Sequence, residues 1–567
     1  MGPLDSERQN QEDEESPGVG WSRREFMRFT GRSLIAMAAW GALGSLAACF
    51  RDKENRPGAT SPVPGFEPIK PNREDRLVVA GGLKTHILIR EGDPINKRGD
   101  RFGKNNDFLA FLPRGDSGPR ADEALLWVNH EYPIPLFTPR RVLKYATNRA
   151  QAEEMRSIVG ASILKLKRSS PSERNEGAAP WRFVAADSNK RIDATTPLEL
   201  VGPRPIAGKR VVAGTMGNCS GGTTPWGTVL TCEENTHYYY GYYRYSRRGR
   251  KLIVPDYGYQ WQKYFDGDPD HYGWVVEFNP RTGKGRKLTA LGRFSHESAT
   301  CVLAEDGRPV VYSGDDRIGG CIYKFIAARK GSLDEGTLYV ANLKKNRWEP
   351  LVLERPELKG RFRDQTELLI RVREAAALVG GTRLARPEDI EVDPKSGAVL
   401  TALTNNRRRR DYYGSLLRID EAGGDHGARV FAHRTFLSGG HENGFACPDN
   451  LVFDPRGNLW MTSDISEKYM HRGEYRGFGN NGLFFIPMSG PAAGEVFQAA
   501  SAPRDAEFTG PCFSADGRTL FVSVQHPGIG STKRNRLNSH WPNGGKEVPR
   551  SAVVAFSGPV LEKLTGF

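Results

Sequence analysis

Short apolar runs separated by polar turns recur along the chain from about residue 77 onward. In each clear example, one apolar run enters an Asp-Gly or proline–glycine turn, and a second apolar run then ends in polar residues. Such turns between alternating apolar runs are hairpin signals. The clear examples are residues 301–316, 390–405, 451–464 and 511–526. Repeated strand-rich units predict an all-β fold, a β-propeller, with a pair of large β-sandwiches as the alternative.

A helical period stands out in residues 367–378, where the apolar residues Leu368, Leu369, Val372, Ala375 and Ala376 recur on one face. This pattern predicts one helix inserted between strands. The tyrosine-rich residues 238–245 predict either a lid over a mouth or a surface hairpin. The chain is therefore expected to be a propeller with inserted loops and a few short helices.

Composition agrees with many short strands joined by turns, because the chain holds 64 Gly and 37 Pro with 38% hydrophobic residues. The net charge of +14 comes from scattered basic residues. A nucleic-acid groove needs basic residues interleaved with aromatic residues along one face, so no nucleic-acid partner is expected. A positive balance suits the attraction of anionic substrates.

The N-terminal region has the pattern of an export signal. Arg23 and Arg24 precede a short apolar stretch at 34–48, which predicts a twin-arginine signal over residues 1–49. The sequence Leu-Ala-Ala-Cys ending at Cys49 resembles a bacterial lipobox and predicts lipidation of Cys49, with ordinary cleavage as the alternative. Proline-rich residues 50–76 are predicted to form a tether, and residues 77–567 the propeller catalytic domain.

Cys49 is one of seven cysteines. The other six are an even number, which in an exported protein permits disulfides. Folding before export takes place in a reducing compartment, however, so disulfides are not expected. Cys232, Cys301, Cys321 and Cys512 adjoin apolar strand residues and are predicted to be small buried hydrophobic residues. The absence of a CxxC pair argues against a closed zinc site.

Residues 217–235 combine two kinds of metal ligand in one segment. A glycine-rich turn holds Cys219, a short apolar strand follows, and the strand ends at Glu233 and Glu234. A thiolate is a soft ligand that favours iron, zinc or copper, whereas carboxylates favour calcium, magnesium or ferric iron. The segment predicts a mixed-metal site; the alternative is a tight hairpin with a buried cysteine and a solvated acidic end.

Other carboxylates lie beside predicted strands, and in a propeller such strand ends meet at the central channel. These residues are Glu131, Glu297, Glu388, Asp449, Asp464 and Glu507. Because packed like charges repel, their convergence requires cations, and oxygen-rich clusters select calcium. Three histidines, His130, His296 and His526, are either ligands, acid–base groups or packed side chains.

Arg386 stands directly before one of these acidic motifs, Glu388 and Asp389. Its planar donor fork suits bidentate binding of phosphate or carboxylate. The alternative is a structural salt bridge to Glu388 or Asp389.

The combination of motifs resembles the PhoX-type bacterial alkaline phosphatases. The matching pieces run from about residue 77 to residue 555 and are Asn129 to Tyr132, Gly217 to Gly222, Thr224 to Thr228, Thr231 to Glu234, Arg293 to Glu297, Gly314 to Asp316, Tyr323 to Phe325, Arg386 to Glu388, Pro448 to Asn450 and Gln525 to Gly528. The twin-arginine pattern also fits. Ser220 and Ser298 stand where alanine or glycine is usual in the family, and the lipid anchor is not general.

The resemblance implies a six-bladed propeller whose channel holds two Fe³⁺ and two or three Ca²⁺ ions bridged by an oxo group. It implies that Cys219 is an iron ligand and that Arg386 holds the phosphate. The carboxylates implied for iron and calcium are Glu131, Glu233, Glu234, Glu297 and Glu388. Asp449, Asp464 and Glu507 are added as metal ligands from their matching context.

The function expected from the resemblance is hydrolysis of phosphomonoesters, with diesters left open. Two alternatives stand beside it: a non-catalytic calcium-stabilised binding module, and a sugar-lactone hydrolase in which Cys219 has no role. We expect a monomer exported to the periplasm or cell surface, with a membrane contact if Cys49 is lipidated.

Overall fold

The computed structural model describes residues 62–114, 118–138, 141–170, 180–245, 251–254 and 258–566. The predicted twin-arginine signal, the lipidation site Cys49 and residues 50–61 of the predicted tether lie outside the described residues. Within the described ranges, no helix combines the length and the apolar character needed to cross a membrane.

Strands dominate the described residues and form six sheets of four to six strands. Each sheet is one blade, and its inner strand lies beside the inner strands of two neighbours, which closes a ring. The inner strands of blades 1 to 6 are Asn106–Pro113, Asn218–Thr223, His296–Leu303, Pro387–Val392, Pro448–Phe453 and Glu507–Phe513. The prediction of a six-bladed propeller is confirmed, and the β-sandwich alternative is excluded.

The remaining strands of blades 1 to 3 follow outward from each inner strand. In blade 1 they are Glu123–His130, Gly160–Arg168 and Trp181–Val184, with Lys190–Ile192 also paired to the third strand. In blade 2 they are Val229–Glu233, Val275–Asn279, Lys284–Leu288, Pro197–Val201 and Val211–Ala213. In blade 3 they are Pro309–Asp315, Ile322–Ala327, Gly336–Asn342 and Arg347–Pro350.

Blades 5 and 6 take their outermost strands from the beginning of the described chain. Blade 4 continues with Val399–Leu403, Ser415–Glu421 and Phe431–Ser438. Blade 5 continues with Leu459–Ser463, Gly482–Ile486, Phe497–Ser501 and Val78–Val79. Blade 6 continues with Leu520–Gln525, Ala552–Ser557 and Lys84–Arg90. Early and late segments of the chain are thus hydrogen-bonded in the same sheets.

The core lies between the faces of adjacent blades, where each of the six interfaces holds its own apolar cluster. Between blades 1 and 2, for example, the rings of Trp127 and Phe278 are 5.1 Å apart. Between blades 6 and 1, Phe111 stacks on Phe521 at 5.7 Å. Burial of these side chains from water is the main force that closes the ring.

Short helices and hairpins decorate the blades. The helices are Arg149–Ile158, His237–Tyr240, Gln365–Ile370, Val372–Leu378 and Pro559–Thr565. The additional strand pairs are Leu136–Phe137 with Val142–Leu143, Tyr242–Tyr245 with Lys251–Val254, and Ile318–Gly320 with Leu384–Ala385.

The predicted helix at 367–378 is present but divided. Asp364 caps its first half by accepting a hydrogen bond from the backbone N–H of Glu367. The helix breaks at Arg371, whose φ of −102° and ψ of 34° are not helical. The tyrosine-rich run divides as well: Tyr238 to Tyr240 are buried, and Tyr242–Tyr245 is a strand of a hairpin. The surface-hairpin alternative therefore describes its second half.

The described part of the predicted tether, residues 62–76, belongs to the folded unit. Phe66 is buried, with its ring 6.1 Å from that of Phe485 and 6.4 Å from that of Phe497 in blade 5. The backbone N–H of Ile69 donates to the carbonyl oxygen of Gln498 at 3.0 Å. The structure thus moves the start of the folded unit from residue 77 to before Phe66, because one aromatic side chain in a proline-rich stretch is enough to dock it.

Replacing Phe66 with alanine is expected to lower the free energy of unfolding by about 3–5 kcal/mol, the usual cost of emptying a buried aromatic site. Denaturant unfolding of the metal-free protein measures this loss. Lys70→Ala is the matched control, because Lys70 lies in the same segment and is exposed. Equal stability of the two variants would contradict the docking of this segment.

Candidate active site

A β-bulge interrupts each of the six inner strands near its beginning. In every case the inner strand has one more residue than its partner between two successive register points. Bulges re-aim side chains and are common next to active sites. The first residues inside the six bulges are Asp107, Cys219, Ser298, Glu388, Asp449 and Gly510.

The second strand of each blade runs antiparallel to the first and ends beside the bulge, at the same edge of the ring. The residues that follow these strands are Glu131, Glu234, Asp316, Thr404, Asp464 and His526. Each blade therefore contributes one residue from its bulge and one from the end of its second strand. These two positions supply most of the acidic lining, and Glu297 and Glu507 add to it from the beginning of the inner strands of blades 3 and 6, before the bulges.

Cys219 belongs to two groups of potential ligands. The ligand atoms of Asp107, Glu131 and Cys219 lie within 4.8 Å of one another, and so do those of Cys219, Glu234 and Glu297. The thiol of Cys219 donates to Asp107 Oδ2 at 3.3 Å. One sulfur atom is thus shared by two groups of carboxylates, which three blades contribute.

The amide of Gln525 fixes the first group. Its Nε2 donates to Asp107 Oδ2 at 2.7 Å and to Glu131 Oε2 at 3.0 Å. Gln525 is fully buried, so the two carboxylates are held at fixed positions by the end of blade 6. This side chain orients possible ligands without carrying charge itself.

The other half of the channel carries Glu388, Asp449, Asp464 and Glu507. Burial raises the pKa of Asp449 well above its ordinary value, and the charges of Glu507 and Asp464 raise it further. Burial likewise raises the pKa of Glu297, and the charge of Glu388 adds to this effect. Carboxylates from blades 3, 4, 5 and 6 therefore influence one another electrostatically across a single channel.

The residues present fit a cluster of cations. Three buried oxygen atoms, Asp107 Oδ1, Glu234 Oε1 and Glu297 Oε2, have no hydrogen-bond partner among the described residues. Burial also raises the pKa of the Cys219 thiol, with further contributions from Asp107 and Glu131. A desolvated thiol among desolvated carboxylates is costly without positive charge. The donor set itself combines a soft ligand with many hard ones.

Arg386 brings a positive charge into this channel. Its Nε and one terminal nitrogen donate to the two oxygens of Asp316 at 2.8 and 2.9 Å. The guanidinium also lies 2.7 Å from Glu388 and 3.8 Å from Asp464. Its φ of 54° is in the left-handed region, a strained conformation for this residue type that the packing maintains.

Asp389, the other salt-bridge partner considered for Arg386, faces a different environment. Its carboxylate accepts hydrogen bonds from the backbone N–H groups of Leu451 and Ile390, both at 2.9 Å. Ser220 Oγ donates to it at 3.4 Å, and Ser298 Oγ donates to the carbonyl oxygen of Ile390 at 3.1 Å. The two serines that depart from the family pattern therefore both lie around the backbone at Asp389.

Glu233 is not placed with the other predicted ligands. Its Oε1 lies 2.6 Å from Lys287 Nζ, and its Oε2 accepts from the backbone N–H groups of Gly273 and Trp274. Adjacent residues on a strand point to opposite faces, so Glu234 reaches the channel and Glu233 reaches the blade interior. The prediction of Glu233 as a metal ligand is corrected to a structural role.

Glu233→Gln is expected to lower the free energy of unfolding by about 3–5 kcal/mol, because it leaves the fully buried Lys287 ammonium without its counter-charge. The metal content of the folded fraction is expected to stay unchanged. Glu234→Gln is the matched variant and should lose metal instead. Denaturant unfolding of the metal-free protein measures stability, and elemental analysis measures metal content. Metal loss in Glu233→Gln, with metal retained in Glu234→Gln, would contradict the structural role of Glu233.

The histidines fall into two classes. His130 is buried with Nε2 2.8 Å from Ser162 Oγ, and His296 is buried between Ser313 Oγ and the carbonyl oxygen of Gly292. Burial lowers the pKa of His296 to about 4, so this ring is neutral. His526 differs, because its Nε2 lies 3.0 Å from Glu507 Oε1. The packed-side-chain alternative describes His130 and His296.

The six described cysteines are all free. Cys232 and Cys321 are buried, while Cys301 and Cys512 are partly buried against apolar clusters. This agrees with the prediction of small hydrophobic side chains rather than disulfides. Cys447 is also buried, with its thiol next to Asn405.

Asp107, Asp316 and Gln525 were absent from the predicted site. Asp107 precedes the apolar run of blade 1 in the same way as Asp449 precedes that of blade 5, so the signal was present in the sequence. Asp316 and Gln525 lie in motifs that carried the family resemblance, but nothing in the sequence assigned them a contact. Their spatial partners, Arg386 and Glu131, are distant along the chain.

Fold and site together define a six-bladed propeller whose channel brings together potential metal ligands. The sequence model of the family described as alkaline phosphatase PhoX matches residues 64–528, and the chain belongs to this family. It is therefore an alkaline phosphatase, and its substrates are phosphate esters. The family is metal-dependent, in agreement with the two ligand groups around Cys219.

Among solved structures, PhoX of Pseudomonas fluorescens in complex with vanadate, a transition-state analogue, is similar to this chain with 30% identity and a TM-score of 0.74. The match covers 88% of this chain and 98% of that one. A protein of unknown function from Dyadobacter fermentans matches at 10% identity and a TM-score of 0.37, over 88% of this chain and all of that one. A putative 6-phosphogluconolactonase from Bacteroides uniformis matches at 10% identity and a TM-score of 0.29, over 79% and 87%. A search of curated proteins found no match.

Proposed function

We propose that this phosphatase hydrolyses phosphomonoesters at a mixed cluster of two Fe³⁺ and two or three Ca²⁺ ions, and that diesters are a second substrate class. The observation that carries the proposal is that Cys219 Sγ belongs to both groups of potential ligands, each with two carboxylates. The vanadate complex of the similar Pseudomonas fluorescens structure supports phosphoryl transfer in this fold.

The donor chemistry suggests how the residues divide between the two kinds of ion. The iron ions would be held around Cys219, with Asp107, Glu131, Glu234 and Glu297 as carboxylate ligands. The all-oxygen side with Glu388, Asp449, Asp464 and Glu507 suits calcium. When bound, such cations neutralise charge on phosphoryl oxygens and activate an oxygen nucleophile.

Arg386 is the residue that would receive the phosphoryl group. Its guanidinium is already aimed by a two-point contact with Asp316, so little side-chain freedom is lost on binding. The donors that face the channel can pair with equatorial oxygens of the transferring group, where negative charge develops. Asp316 and Glu388 hold the fork in this direction and keep it charged.

His526 and Gln525, at the end of the second strand of blade 6, would act on other ligand groups. The carbonyl oxygen of Asp505 accepts a hydrogen bond from His526 Nδ1 at 2.9 Å, which fixes the ring with Nε2 toward Glu507. Gln525 keeps Asp107 and Glu131 at a constant separation. Both residues orient ligand groups, and neither needs to reach the substrate.

The decisive experiment is elemental analysis of protein exported through its own signal, paired with assays on p-nitrophenyl phosphate and bis-p-nitrophenyl phosphate. Iron together with calcium, and turnover of the monoester, is the expected result. Calcium without iron in an active enzyme would overturn the mixed cluster. Turnover of the monoester alone would remove diesters from the proposal.

We further propose export by the twin-arginine route to the periplasm or cell surface, attachment through a lipid on Cys49, and action as a monomer. The motif around Arg23 and Arg24 supports the export route, and the lipobox supports the attachment. Cys49→Ala is expected to move the phosphatase from the membrane fraction to the soluble fraction, because a lipid chain supplies the attachment. Activity that stays in the membrane fraction would contradict lipidation.

A further inference from the structure

The bulge of blade 2 leaves backbone groups that its own sheet does not satisfy. Pairing slips between Asn218 and Gly221, so Cys219 and Ser220 lie outside the regular ladder. Both of their carbonyl oxygens accept hydrogen bonds from Asn129 Nδ2, at 2.7 and 3.1 Å. A side chain of blade 1 thus replaces the missing ladder partners of the segment that carries the thiol.

Asn129 is itself fixed from the other side. Its Oδ1 accepts from Trp127 Nε1 at 2.7 Å and from Thr231 Oγ1 at 2.9 Å. Asn129 is fully buried, and a flipped amide would set its oxygen against two carbonyl oxygens and its NH₂ group against the indole N–H. Only one orientation of this amide satisfies all four contacts.

Neighbouring bulges are held in the same way by other side chains. Asn450 Oδ1 accepts from the backbone N–H of Gly510 at 2.8 Å, and Ser523 Oγ donates to the carbonyl oxygen of Asp107 at 2.7 Å. Polar contacts at the bulges are therefore a feature of the ring. Among the described residues, Asn129 is the side chain that makes this contact to the cysteine.

We propose that Asn129 is a positioning residue that sets the direction of the Cys219 sulfur and thereby the affinity of the channel for a thiophilic metal ion. The inference rests on the proposed metal cluster, since it concerns the sulfur side of it. A ligand held in place before the ion arrives loses little freedom on binding, and partners of this kind typically change metal affinity 10- to 100-fold. The contacts of Asn129 do not touch the all-oxygen side, so calcium affinity should not depend on it.

The test uses Co²⁺ as a spectroscopic probe, because a thiolate bound to Co²⁺ gives a charge-transfer absorption band that reports the sulfur directly. Metal-free, folded wild-type protein is titrated with Co²⁺ and, separately, with Ca²⁺. Asn129→Asp keeps the size and the acceptor of the side chain but removes the donor to both carbonyls. We expect its Co²⁺ affinity to fall about 10- to 100-fold, with Ca²⁺ affinity unchanged. Hydrogen exchange of residues 218–223 in the metal-free variant should be faster.

Asn189→Asp is the matched control. Asn189 is equally buried, donates to the carbonyl oxygens of Ile95 and Val184, and accepts from the backbone N–H of Lys165, but it lies in the outer part of blade 1. It should share any general loss of stability and keep the Co²⁺ affinity. If Asn129→Asp does not fold, Thr231→Val removes one of the two donors that orient the amide and should give a smaller loss of Co²⁺ affinity.

The outcomes separate two failures. Absence of the charge-transfer band in wild-type protein would overturn the metal cluster, and this inference with it. A band in wild-type protein that is retained at equal affinity in Asn129→Asp and Asn189→Asp would overturn the positioning role alone. Equal loss of Co²⁺ and Ca²⁺ affinity in Asn129→Asp would also overturn it, because that result indicates general loosening of the channel.

Discussion

Cys219→Ala is expected to lose iron and to lower phosphatase activity by more than about 100-fold, since loss of an outer partner of a ligand alone costs 10- to 100-fold. The thiol belongs to both groups of potential ligands, so its removal affects both groups. The oxygen ligands on the far side of the channel remain, and calcium should be retained in part. Elemental analysis and turnover of p-nitrophenyl phosphate measure the two effects.

Cys232→Ala provides a stringent control for this change. Cys232 is buried in the second strand of the same blade and lies outside both ligand groups, so it matches the lost volume without touching the channel. This variant should keep its iron and its activity. If the two variants hold the same amount of iron per folded protein, the assignment of the sulfur ligand fails.

Arg386→Lys is expected to reduce kcat by about 100- to 1,000-fold, the usual cost of losing one donor to developing charge in a transition state. Lysine keeps the positive charge but lacks the fork that pairs with two oxygens at once. Because the loss concerns the transition state, inhibition by vanadate should weaken in parallel while metal content stays constant. Steady-state kinetics and vanadate inhibition give the measurement.

Arg373→Lys is the comparison variant. Arg373 makes an equivalent fork to Asp315, with contacts of 2.9 and 2.6 Å, one residue before the aspartate that Arg386 contacts. The two substitutions therefore remove the same kind of contact at adjacent positions. A rise in KM without a fall in kcat for Arg386→Lys, or equal kinetics of both variants, would contradict the role of Arg386 in transition-state binding.

The recurring hairpin turns in the sequence were sufficient to predict the propeller, because each Asp-Gly turn is a local signal that tertiary contacts reinforce. The side chains that face the channel were harder to predict. Adjacent residues such as Glu233 and Glu234 have the same sequence context. The folded blade shows which of the two faces the channel, because Glu233 pairs with Lys287 in the blade interior. The contact between Arg386 and Asp316 likewise depends on the packing of two blades, which a local pattern does not encode.

The position of Asp107 in a bulge explains why this potential ligand was not predicted from the sequence. A carboxylate at the beginning of a strand is usually solvated, so Asp107 alone resembles an ordinary surface charge. Its equivalence with Glu388 and Asp449 becomes visible when the register of all six inner strands is compared. The sequence did not predict that the folded unit begins before Phe66, because a single aromatic residue forms no periodic pattern.

The pairing of Lys84–Arg90 with Ala552–Ser557 has a consequence for the order in which the enzyme is made. Until residue 557 has left the ribosome, blade 6 consists only of the hairpin that carries Glu507, Gln525 and His526, and Lys84–Arg90 has no strand to pair with. The ring can therefore close only after blade 6 has received this strand, so any ion held between its carboxylates is enclosed after that point.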